Sequence, residues 1–88
     1  MREKAIEAYF RNEIRRRGGW SMKLAGVAGV PDRLVIMPDG QVWFIELKTD
    51  TGRLSKVQVA MHRKLGLLDV NLETLRGKEG VDEWLEMF

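Results

Sequence analysis

Cysteine is absent from the 88-residue chain and histidine appears once, as His62. Without cysteine there is neither a disulfide framework nor a thiolate zinc site, the usual staples of a small secreted domain. Long apolar runs are missing too: none approaches the roughly 20 residues that cross a bilayer, and the first residues are charged, unlike the apolar stretch of a signal peptide. A cytoplasmic protein with no membrane partner is therefore expected. No repeat, low-complexity segment or linker interrupts the chain, so residues 1–88 read as one domain. A chain this short buries only about 60 to 65 per cent of the surface its unfolded form exposes, and a second subunit is the expected source of further burial.

Excess charge is also scarce, at a net +2, but the sum hides an uneven distribution. Residues 1–23 carry seven cations against three acids, residues 24–65 six against four, and residues 66–88 two against six. A basic front end suits a surface that faces nucleic acid, and the acidic C-terminal segment is expected to face away from it or toward a second subunit.

Ile6, Phe10 and Ile14 recur at four-residue spacing with Tyr9 beside them, which predicts a helix over 3–17. Gly18 and Gly19 end it, after Arg15, Arg16 and Arg17 in a last turn where cations suit the helix dipole. A short strand over 20–24 follows, then a small-residue stretch over 25–30. Strands over 32–37 and 41–48 flank Pro38-Asp39-Gly40, a turn sequence, and read as a β-hairpin. Along the second of them Trp43, Ile45 and Leu47 face one side, and Val42, Phe44, Glu46 and Lys48 the other.

Ser55 and Gln58 have the spacing of a capping box at the head of a helix ending at Gly66. Val70, Leu72 and Thr74 alternate with polar residues as a strand over about 69–75, and a final helix is expected over 81–88. The order α-β-β-β-α-β-α describes an α/β domain, a small mixed sheet flanked by helices. The crossover through the helix makes the strands over 41–48 and 69–75 parallel neighbours, expected at the sheet centre.

Two carboxylates stand where strands should be apolar. Asp32 follows Pro31 at the start of one strand, and Glu46 and Lys48, two residues apart, share a face of the next. Carboxylates brought together repel and lose hydration unless a cation neutralises them. Magnesium suits such a pair, because it takes one or two carboxylates plus water and substrate phosphate. Asp32 and Glu46 are the candidate metal ligands, with the backbone carbonyl of Leu47 as a third donor. Lys48 would orient the nucleophile or stabilise charge developing on the phosphate. The chemistry this points to is phosphodiester hydrolysis.

The ordered set Gly29-Val30-Pro31-Asp32, Glu46-Leu47-Lys48, Gly52-Arg53-Leu54-Ser55 and Gln58, with Glu7 on the first helix, resembles the VRR-NUC (virus-type replication-repair nuclease) branch of the PD-(D/E)xK nuclease superfamily. The resemblance covers roughly residues 3–75. It implies a restriction-endonuclease-like core, Mg2+ or Mn2+ at Asp32 and Glu46, Lys48 as catalytic lysine, Gln58 turned toward the site and Glu7 completing it. It also implies a phage-type homodimer that cuts branched DNA such as Holliday junctions.

Structural roles compete with some of these. Gln58 is already committed to Ser55, which conflicts with a reach into the site, and Glu7 has an ion-pair partner four residues on in Arg11. His62, between Met61 and Arg63 and followed by Lys64, is expected at the surface or on a phosphate. Lys23, Arg33, Arg53 and Lys56 lie in or beside the motif segments and are the expected DNA contacts, with Arg15, Arg16 and Arg17 as a further phosphate track. No recognition helix or stacking platform is evident, so selection by shape is expected. Two rival readings fit the same residues: a non-catalytic junction-binding module of this fold, and a small interaction protein whose charged strand is solvated.

Overall fold

The alternation along one strand divides this molecule into two unequal faces. In the computed structural model, which describes all 88 residues, the elements are α1 (Glu3–Arg16), β1 (Trp20–Lys23), β2 (Arg33–Ile36), β3 (Val42–Lys48), α2 (Lys56–Gly66), β4 (Asn71–Arg76) and α3 (Gly77–Leu85). This is the expected α-β-β-β-α-β-α order. No helix is long and apolar enough to cross a membrane.

The sheet runs β1-β2-β3-β4. β1, β2 and β3 are antiparallel, and β4 joins β3 in parallel after the α2 crossover. The β3–β4 pair is therefore parallel as expected, but β4 is an edge strand and not central. Hairpin growth on the β2 side moves the centre to β2 and β3. At the hairpin turn Gly40 takes a φ of +89°, and Asp39 Oδ1 accepts from the Gln41 N–H at 3.0 Å, which are the roles that turn chemistry assigns to them.

One face is a dense apolar core. Ile6, Phe10 and Ile14 of α1 and Val81, Trp84 and Leu85 of α3 close over Val35, Ile45, Leu47 and Leu75 of the sheet. The Trp84 ring lies 5.8 Å from Phe10 and 5.5 Å from Trp43, centroid to centroid. α3 begins four residues before the expected Val81. Lys78 pairs with Asp82 at 2.8 Å along the helix, and Gly80 lets it come close, since a Cβ there would lie 3.3 Å from the Leu75 carbonyl carbon.

The other face is sparsely covered. α2 buries none of its residues. By register, Trp20, Met22, Leu34, Ile36, Val42 and Phe44 share this face across three strands, and Trp20 is still 60% exposed. Buried charge is confined to Arg33, on the core side opposite Ile45, and Glu46, on the α2 side.

Candidate active site

Each carboxylate is placed by a different device. Asp32 stands one residue before β2, and its Oδ2 accepts the Leu47 N–H of β3 at 2.8 Å. Its own carbonyl accepts the Leu24 N–H at 2.8 Å, so the segment is held from both sides. The N–H and C=O of a strand residue leave the same edge. Because β2 pairs with β3 only as far as Arg33 opposite Ile45, the Leu47 carbonyl also opens toward Asp32.

The loop before Asp32 is positioned by Gly29. It adopts a φ of +77°, and a Cβ on it would lie 2.8 Å from the Val57 carbonyl carbon and closer still to its oxygen. Glycine is required here for close approach as well as for conformation. The consequence is that the Asp32 segment docks on the first turn of α2.

Glu46 is fully buried on the α2 side. Gln58 Nε2 donates to its Oε2 at 3.3 Å, His62 Nε2 lies 3.3 Å from its Oε1, and Lys48 Nζ is 3.9 Å from Oε2. Burial, followed by a hydrogen bond with Asp32 and the charge of that carboxylate, pushes Glu46 up to about 8. Lys48 opposes the shift without cancelling it, and Glu3 at the head of α1 adds to it. The His62 imidazole is held below its ordinary value chiefly by burial.

The expected competition between capping and reaching the site does not arise for Gln58. Its Oε1 accepts from the Ser55 N–H at 2.8 Å while Ser55 Oγ accepts from the Gln58 N–H at 3.2 Å, which completes the capping box. The amide nitrogen remains free to donate to Glu46. A glutamate, which only accepts when ionised, could not serve both ends.

His62 differs most from expectation. Its side chain is 11% exposed and turned inward, away from the surface assigned to it from its basic neighbours. The available signal was helical: residues four apart share a face, so a helix that aims Gln58 at Glu46 aims His62 there too.

The structure distributes the remaining candidates unevenly. Glu7, expected to complete the site or else to pair with Arg11, accepts from the Arg33 guanidinium at 2.9 Å, and the α1 acid whose charge reaches Glu46 is Glu3, one turn earlier. Arg33 is buried and also donates to Ser21 Oγ at 2.6 Å, so it ties α1, β1 and β2 together and is not free to meet a phosphate. Lys23, Arg53 and Lys56 are exposed, at the end of β1, in the loop before α2 and at its first residue. Arg76, opposite Lys48 in register and exposed, is a further cation near the site that sequence reading passed over. Arg16 and Arg17 are paired with Glu13.

The donor set suits a hard divalent cation. Two neighbouring carboxylates and the Leu47 carbonyl are all oxygen donors, and Glu46 is held up first by its burial and then by Asp32, with Lys48 at 3.9 Å opposing the shift only in part. No group of three or more His, Cys, Asp and Glu is placed to hold a metal ion, so a cation here would depend on the two carboxylates and on oxygen donors from outside the side chains. Magnesium or manganese bound by one or two carboxylates, with water and substrate phosphate completing the shell, fits such a site. The largest cavity, about 450 Å3, lies between β4 and α3; Arg76 lines it at the end near Lys48, but Glu73, Glu79 and Glu83 make the lining acidic on balance.

No family model matches the chain. Over 67 residues it is 37% identical to "Putative nuclease p44" of Acyrthosiphon pisum secondary endosymbiont phage 1, an alignment that covers 74% of this chain and 72% of that protein. Its structure is similar to a solved chain described as "VRR_NUC domain", with a TM-score of 0.90 and 28% identity over 98% of this chain and 96% of the other.

Proposed function

The chain belongs to the VRR-NUC family of nucleases, and from that premise we propose that it is a divalent-metal-dependent endodeoxyribonuclease that cleaves branched DNA as a homodimer. The observation that carries the reading is the buried Glu46 beside Asp32, with Lys48 on the same strand face. A fully buried carboxylate with a second carboxylate beside it is costly unless a cation joins them.

In this reading Asp32, Glu46 and the Leu47 carbonyl hold Mg2+ or Mn2+. When bound, the ion supplies Lewis acidity at the scissile phosphate. The chain supplies the rest. The Leu47 N–H fixes Asp32 Oδ2, and Gln58 fixes Glu46 from the capped end of α2. Lys48 Nζ, beside the carboxylates, orients the attacking water and stabilises negative charge growing on the phosphoryl oxygens. Lys23, Arg53, Lys56 and Arg76 contact the phosphate backbone, which positions DNA without reading its sequence.

The homodimer draws support from the apolar sheet face over β1, β2 and the start of β3, where exposed Trp20 and Val42 belong to a patch that a second copy would bury. Two sites related by a two-fold axis suit a junction with two strands to cut.

The test is a matched panel of labelled four-way junction, flap, splayed-arm, duplex and single-stranded DNA, with an RNA arm, in Mg2+ or Mn2+. The expected outcome is cleavage of branched DNA that is lost in Glu46→Ala. Cleavage retained in that variant ends the assignment, and binding without cleavage under any ion favours the junction-binding module.

A further inference from the structure

α2 presents two side chains to one carboxylate. Gln58 and His62, four residues apart, take different oxygens of Glu46, Oε2 and Oε1, each at 3.3 Å. A single contact leaves a carboxylate free to turn about its last torsion. Two contacts to separate oxygens from one rigid helix fix its plane. The helix is itself fixed at this end by the capping box and by Gly29 against Val57.

Resting on the reading above, we propose that His62 is a positioning residue that, with Gln58, clamps the Glu46 carboxylate in the orientation that receives the metal. In its Nε2–H form the imidazole donates to Oε1, as the Gln58 amide donates to Oε2, so both clamps suit an ionised Glu46. The side chain is 11% exposed, and a phosphate contact through Nε2 is unavailable while that atom faces Glu46. His62 acts through Glu46 and touches neither metal nor substrate. Its loss should therefore weaken metal binding and lower kcat, leaving the KM for DNA near the wild-type value.

Three measurements test this. In metal-free protein, a double-mutant cycle of His62→Ala and Glu46→Ala, which removes both carboxylate oxygens, should be non-additive on the unfolding equilibrium by about fivefold or more, as expected for residues in direct contact. Calorimetric titration with Mn2+ should show about tenfold weaker binding in His62→Ala, a loss of the size seen when groups that orient metal ligands are removed. His62→Gln, which keeps a donor, should recover most of it. Finally, Mn2+-loaded protein should show no nitrogen coupling from an imidazole in its electron spin echo spectrum.

An additive cycle, or unchanged Mn2+ affinity in His62→Ala, overturns the clamp. An imidazole coupling that disappears in His62→Ala overturns it in favour of a direct ligand. Failure of the nuclease reading looks different: the cycle stays non-additive while wild-type protein neither binds Mn2+ nor cleaves.

Discussion

Leu47 and Glu46 are neighbours on β3 and almost equally hidden from solvent, at 1% and 0% exposure, yet they are hidden in opposite ways. Leu47 disappears under α1 and α3 among side chains that match it. Glu46 disappears under α2, a helix that buries no residue of its own, and meets Gln58, His62 and Lys48. Burial of Leu47 stabilises the fold through apolar area removed from water. Burial of Glu46 opposes folding, and its carboxyl stays protonated well above the ordinary carboxylate range. One sheet face holds the molecule together, and the other spends part of that stability on a charged site.

Exchange of the two neighbours should separate these roles. Glu46→Gln removes the charge and keeps the shape. Its cleavage rate is expected to fall by on the order of a thousandfold or more, the scale set by losing a group that organises transition-state charge. Metal-free thermal stability should hold or rise. Leu47→Ala should do the reverse, losing about 2–5 kcal/mol of stability, as buried leucines do. Nuclease assays and urea melts on both variants check this. If Glu46→Gln destabilises the metal-free protein as much as Leu47→Ala, the contrast between the faces is wrong.

The two faces were legible in the sequence to different degrees. Period-two alternation displayed both faces of β3, and the four-residue spacing of Ile6, Phe10 and Ile14 displayed the helix that covers one of them. Strand order was not legible, because local pattern shows that β3 and β4 are parallel neighbours but not which of them lies at the edge. The residues around Glu46 depended on which neighbours were consulted. Arg63 and Lys64 suggest a surface for His62, whereas its distance of four from Gln58 along a helix suggests Glu46. Arg33 misled for a related reason. It adjoins Asp32 in sequence, but adjacent strand residues face opposite ways, and register puts Arg33 on the core side with Glu7.

A smaller effect tests how the thin face is assembled. Gly29→Ala places a Cβ against the Val57 carbonyl in a backbone conformation that alanine resists. The left-handed geometry alone costs about 1–2 kcal/mol. The added overlap should push the Asp32 loop away from α2, so cleavage should fall further than stability alone explains. Gly40→Ala, at a φ of +89° with open space around it, shares the strain without the overlap. It should lose comparable stability and keep its cleavage rate. Equal losses of cleavage in the two variants would show that the Gly29 contact has no bearing on the site.

The gentlest probe is pH, where one carboxylate on each face should respond with opposite sign. Glu46 has a folded value near 8 against an ordinary 4.5, so the metal-free folded protein holds a proton that the unfolded chain releases. Its contribution is fully present below about pH 4.5 and is lost as pH rises through 8. Asp82, on α3 at the rim of the core face, is held below its ordinary 3.8 by hydrogen bonds from Lys78 and Tyr9. Its contribution is present above that value and is lost as pH falls through the lowered one. The Asp82 effect should be the smaller, because the pair is exposed and screened by salt. In EDTA, Tm should therefore decline between pH 5 and 9, and Glu46→Gln should flatten that decline. Asp82→Asn should change only the acid limb. A decline on the alkaline side that persists unchanged in Glu46→Gln would mean that the buried carboxylate is not the group that sets it.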